Sequence, residues 1–144
     1  MRPSWVAMAM VAVFLLAGAA ECATPTKSAN GQACTTSVDK KPSKANLGGE
    51  VYVEAVIVAE CVELQKKHSI AITLEFEARG ETCFRAVKAL TVTDPPKPGK
   101  QQSTPISAPC WEEGRWRVGF YVSGETPDGV RYRYPQKGSE TETS

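Results

Sequence analysis

The chain has one histidine, His68, in 144 residues; aromatics make up only 8%, and the net charge is +1. Each shortage excludes something. Acids and bases nearly cancel, so no global field draws the chain to nucleic acid or to an anionic membrane, and any electrostatic recognition must come from local patches. No glycine-rich phosphate loop and no N-x-S/T glycosylation acceptor occurs. From Cys34 onward the cysteines stand more than twenty residues apart, unlike the close paired spacings of a structural zinc site. No apolar run approaches the roughly 20 residues of a transmembrane helix, and no amphipathic helical period is convincing.

What is present begins with "MRPSWVAMAMVAVFLLAGAAECA", an early Arg2, an apolar run from Val6 to Ala17 and then small residues. That is the layout of a secretory signal peptide, expected over residues 1–23, and it implies a secreted, extracellular or cell-envelope protein with no stable membrane span after processing. The small residues allow a cut after Ala20 or after Cys22. Glu21 directly before Cys22 argues against a lipid-modified cysteine. A cut after Cys22 leaves Cys34, Cys61, Cys83 and Cys110, an even set suited to two disulfides in an oxidising compartment.

Residues 24–49 are polar, carry several lysines and lack a hydrophobic period, so they read as a flexible leader. From Glu50 the pattern alternates with period two, the mark of strands with one buried face. In "VYVEAVIVAEC" the odd positions Val51 to Cys61 are apolar or small. In "SIAITLEFEA" the even positions Ile70, Ile72, Leu74, Phe76 and Ala78 are apolar, and Glu75 and Glu77 face the other way. "TCFRAVKALTVTD" breaks its alternation at Lys88, as an edge strand, a bulge or a crossing between sheets would. "PPKPGKQQSTP" is a surface loop, because its prolines remove ladder donors, and "TPISAPC" is a short strand.

"GRWRVGFYVSG" places Trp116, Val118, Phe120 and Val122 on one face, with Arg115, Arg117 and Tyr121 on the other. After the turn residues "ETPDG", "VRYRYP" resumes the alternation. Matching the apolar faces predicts a hairpin with Val122 opposite Val130, Phe120 opposite Tyr132 and Val118 opposite Tyr134. The tail, residues 136–144, reads as disordered. Together these strands predict an all-β, immunoglobulin-like antiparallel β-sandwich over residues 50–135, with a small β-barrel as the alternative. Parity turns Cys61 and Cys110 inward, favouring Cys61–Cys110 and Cys34–Cys83, although spacing alone does not choose among the three possible connectivities.

A strand ending in Cys61, His68 opening "HSIAITLE", and "APCWEEGRWRVGFYVSGETPDG" together resemble a group of small exported proteins of actinobacteria with immunoglobulin-like sandwiches. The resemblance covers Val51 to Tyr134 and departs at Cys83, where the pattern has tryptophan. It implies a fold and an export route, and no chemistry.

Among candidate sites, His68 has no nucleophile beside it on its own face, since Ser69 points to the opposite side of the strand. Glu75 and Glu77 share an open strand face rather than flanking a cleft, so they read as solvated. The arginines are the sharpest local feature. Arg115, Arg117, Arg131 and Arg133, with Tyr121 among them, would project from one hairpin face, repelling each other unless glutamates or an anionic partner compensate. Trp111 falls in a turn and is the aromatic expected to stay exposed. These features predict a non-enzymatic binding or interaction domain without cofactor or metal, contacting an anionic envelope polymer or another protein. The alternative is a secreted inhibitor or toxin-like effector acting through the loop "DPPKPGKQQSTP".

Overall fold

The computed structural model describes residues 34–143, with side chains through residue 134. The expected signal peptide and the first part of the expected leader lie outside the described residues. Seven strands follow in order: β1 (Cys34–Leu47), β2 (Glu50–Cys61), β3 (Lys67–Ala78), β4 (Arg85–Val92), β5 (Gln102–Pro109), β6 (Gly114–Glu125) and β7 (Arg131–Thr143). They form two antiparallel sheets, β1-β2-β5 and β4-β3-β6-β7, packed as a sandwich and not closed into a barrel.

The core follows the sequence parity. Val53, Ala55, Ile57 and Ala59 of β2 and Ile106 and Ala108 of β5 face Ile70, Ile72, Leu74, Trp116, Val118, Phe120 and Val122 of the opposite sheet. β4 is an edge strand, and its broken alternation has a local cause. Leu74 stands opposite Lys88 while Glu75 stands opposite Ala86, so Val87 is the extra residue of a bulge. β5 is also an edge, which is why Pro105 and Pro109 are tolerated in it.

Four expectations are corrected. Residues 34–47 are a strand rather than part of a flexible leader, because β1 borrows its structure from β2. The two are joined by a two-residue turn, Gly48 and Gly49, both at positive φ as a tight hairpin requires. Its polar composition suits an edge strand, and Pro42 sits buried at a register irregularity between Lys40 and Ser43. At the other end β7 continues to Thr143, pairing with β6 through the stretch expected to be disordered.

The third correction concerns the hairpin, which pairs Val122 with Tyr134 and Gly124 with Tyr132, a slide of four residues that preserves parity. The closing pair Glu125–Arg131 centres the turn on Asp128, within the Pro-Asp-Gly triplet, and leaves Val130 exposed.

The fourth correction is the disulfide framework. Cys34 and Cys61 stand directly opposite each other across β1 and β2 and are bonded. Cys61–Cys110 and Cys34–Cys83 therefore do not form. Cys110 shares the inward parity, but its amide donates to the Val51 carbonyl at the far end of β2. Ten strand residues, about 33 Å, separate that end from Cys61. Cys83 is also disulfide-bonded, and Cys110 carries a free thiol. With a sequence separation of 27, the Cys34–Cys61 cross-link contributes about 3.5 kcal/mol by the loop-entropy model.

Candidate functional site

The arginine face divides into two places on the outer surface of the four-stranded sheet. Arg115 and Arg117 stand opposite Glu77 and Glu75 of β3 in register. Arg117 Nη2 donates to Glu75 Oε2 at 2.8 Å, with both side chains buried. Arg115 Nε donates to Glu77 Oε1 at 2.9 Å, and its Nη2 meets the same oxygen. Phe84, in the β3–β4 connection, lies over both guanidinium groups, 4.1 Å from Arg117 Cζ and 5.3 Å from Arg115 Cζ. The expectation that Glu75 and Glu77 are solvated is overturned, since they are only 5% and 7% exposed and are paired to the arginines of β6. Here the arginines are compensated internally by carboxylates.

Arg131 and Arg133 sit at the other end of the sheet, carried there by the four-residue slide of β7. Two cross-strand rows form on this outer face: Lys67, Glu125 and Arg131 in one, Ser69, Ser123 and Arg133 in the next. With Lys66, Thr93 and Pro95 they line a depression of about 560 Å³, at whose margin lie His68 and Tyr132. Four cations face one carboxylate, Glu125, which Lys66 approaches at 3.8 Å. Among the described residues, neither Arg131 nor Arg133 has a carboxylate partner. Two hydroxyls and a guanidinium in one row are the donors an oxyanion takes. Tyr121 is partly exposed on the same sheet face, and Trp111 is 89% exposed in the β5–β6 connection, away from this depression.

His68 is buried, and Tyr132 explains how. Gly124 lies between them in register, His68–Gly124–Tyr132, and its missing side chain lets the tyrosine ring lean across. A Cβ at Gly124 would collide with the Tyr132 hydroxyl and the Lys67 carbonyl. Tyr132 Oη thereby reaches His68 Nδ1 at 2.8 Å, and its own proton has the Lys67 carbonyl 3.4 Å away. With the Tyr132 proton turned to the Lys67 carbonyl, Nδ1 carries the imidazole proton and Nε2 the lone pair; in either tautomer Nε2 is buried without a hydrogen-bond partner. Burial pushes the His68 pKa below its usual value and drives that of Tyr132 up to about 12. Sequence reasoning missed both this pairing and the buried glutamates. Gly124 held the signal for the first, since a strand glycine in a sheet invites an aromatic cover.

No protein-family model matches the chain, and no curated protein is similar to it. Among solved structures it is similar to a β-glucosidase from Kluyveromyces marxianus, with a TM-score of 0.38 and 12% identity over 82% of this chain and 16% of that one. A late embryogenesis abundant protein is similar with a TM-score of 0.38 and 11% identity, over 78% of this chain and 72% of that one. The sporulation control protein Spo0M from Bacillus subtilis gives a TM-score of 0.33 and 10% identity, over 74% of this chain and 47% of that one. The chain thus spans less than a fifth of the β-glucosidase it matches.

Proposed function

We propose that this chain is an exported, non-enzymatic binding domain with an immunoglobulin-like sandwich. Its contact surface is the basic depression formed by Lys66, Lys67, Arg131 and Arg133, and its ligand is an anionic envelope polymer. The observation that carries the reading is the uncompensated charge there: four cations around one carboxylate, beside two serine hydroxyls. The Cys34–Cys61 disulfide, and the absence of a membrane-spanning helix among the described residues, are compatible with export. Action through the loop "DPPKPGKQQSTP" is the weaker reading. Pro96 is buried and the Gly99 amide donates to the Cys61 carbonyl at 2.9 Å, so the loop is laid against the sandwich rather than projected into a partner's cleft.

The test replaces Arg131 and Arg133 together with serine and measures retention on a sulfated-polysaccharide column. Both residues are exposed, so the fold should survive. The double variant is expected to elute at clearly lower salt than the native protein, while Trp111→Ala elutes unchanged. Screening within about 10 Å at 0.1 M salt makes low ionic strength the informative condition. Unchanged retention of the double variant would remove the proposal.

A further inference from the structure

We propose that Cys34, Cys61 and His68 form a binding site for one soft, low-coordinate metal ion of the Cu(I) class, which opens when the Cys34–Cys61 disulfide is reduced. Spacing along the chain hides this set. The hairpin of β1 and β2 brings the cysteines face to face, and β3, in the opposite sheet, carries His68 as its second residue. Both sulfurs and a ring nitrogen of His68 lie within 4.8 Å of one another, and all three residues are buried.

The second observation is independent of the cysteines. His68 is 2% exposed, and its Nε2 has no hydrogen-bond partner. A buried acceptor left unsatisfied costs about 1–3 kcal/mol, so an interior position for this ring needs a reason that packing does not supply. A metal supplies one. Tyr132 Oη meets Nδ1 as an outer hydrogen-bond partner meets a ligating histidine, and in the tautomer with the proton on Nδ1 the lone pair on Nε2 is open to a metal.

The ligand set decides the metal. Two thiolates and one imidazole are soft donors. Bonds of about 2.3 Å to sulfur and 2.0 Å to nitrogen place three ligands roughly 4 Å apart; the two sulfurs, bonded to each other in the disulfide, move apart to that spacing on reduction, and the ring nitrogen already lies within 4.8 Å of both. No other cysteine, histidine, aspartate or glutamate joins the group among the described residues, so the site lacks the fourth protein ligand of structural zinc. Three-coordinate Cu(I) needs none.

The chemistry balances with a dithiol or phosphine as reductant. The S–S bond takes two electrons and two protons to give two thiols, while the dithiol becomes its disulfide or the phosphine, with water, its oxide. The metal then displaces both thiol protons to solvent. The resulting complex has a charge of −1, and His68 borders the depression whose rim carries Lys66, Lys67, Arg131 and Arg133.

The experiment uses the full chain with Cys110→Ser, so that the free thiol does not compete. The protein is reduced with a phosphine and titrated anaerobically against the Cu(I)–bicinchoninate complex, with stoichiometry read by native mass spectrometry and folding by circular dichroism. The reduced protein is expected to keep its β-sheet spectrum and take up one Cu(I), and the oxidised protein none. His68→Gln should weaken binding by about 100-fold; Tyr132→Phe, which keeps the ring in place, should weaken it by about 10-fold. Equal affinity in both histidine-site variants, equal uptake by the oxidised protein, or loss of the sheet on reduction would each overturn the proposal. Zn(II) competing as well as Cu(I) would overturn the choice of metal.

Discussion

The pair Glu75–Arg117 makes a sharp prediction, because both members are buried and oppositely charged. Replacing Glu75 with leucine leaves the guanidinium of Arg117 at 8% exposure without its carboxylate. Breaking a buried pair from one side costs about 3–5 kcal/mol, whereas exchanging both members for apolar groups of similar volume is near neutral. The cation–π contact with Phe84, whose ring lies 4.1 Å from the guanidinium, is present before and after the substitution and cancels in the difference. A loss of about 3–5 kcal/mol is therefore expected for Glu75→Leu. The double variant Glu75→Leu with Arg117→Met should lie within about 1 kcal/mol of the native protein.

Urea unfolding under non-reducing conditions reads this directly. With an m-value of about 1.5 kcal/mol/M, the midpoint should fall by about 2–3.3 M for the single variant and by well under 1 M for the double. Strict additivity, in which the double variant loses the sum of the two single losses, would refute the reasoning. So would a single variant unfolding at the native midpoint.

Gly124→Ala should lower the thermal midpoint by about 5–15 °C, because its Cβ meets the Lys67 carbonyl and the Tyr132 hydroxyl, and overpacking of this kind costs about 1–3 kcal/mol; a change below about 2 °C in a thermal melt would show that the close approach is not real. The lowered pKa of His68 gives a pH dependence with a definite sign. Below about pH 6.5 the unfolded chain binds a proton that the folded chain refuses, so stability falls as the pH drops and is fully present above that value, with a slope of at most about 1.4 kcal/mol per pH unit. His68→Gln should remove that slope from urea midpoints measured between about pH 6.5 and 5, and an unaltered slope would assign the effect to other groups.

Parity was the most legible property of this sequence, because a period of two is written locally. The odd residues of β2 from Val53 to Ala59, the even residues Ile70 to Leu74 of β3 and Trp116 to Val122 of β6 face the core as their alternation requires, while Val51 at the start of the β2 series is exposed. Lys88 marked an irregular edge strand, and the bulge at Val87 is its cause. β1 was hidden for the opposite reason: its residues carry almost no apolar period, and its conformation is imposed by the ladder to β2. Alternation also misplaced Glu75 and Glu77, because it says which face of a strand a residue occupies and not whether that face is covered. The arginines paired to these glutamates lie under Phe84, which is outside any strand, and nothing in the spacing of Phe84 from Arg117 announces their contact.

Register is the property for which local pattern is weakest, and here it decides where the charge goes. The expected and observed hairpins differ by four residues, so both keep arginine off the core face and parity cannot choose between them. Longer-range fits choose: Tyr132 needs a glycine beneath its ring to reach His68, and Tyr134 needs the apolar wall at Val122. In the expected register Phe120 would lie beneath Tyr132 instead of Gly124, and the hydroxyl would lose its path to the imidazole. The slide that satisfies both tyrosines also carries Arg131 and Arg133 away from Arg115 and Arg117 toward Lys66 and Lys67. One cluster of four arginines thus becomes a neutralised pair of ion bridges at one end of the sheet and an open basic depression at the other, so the packing of two tyrosines determines where this surface is cationic.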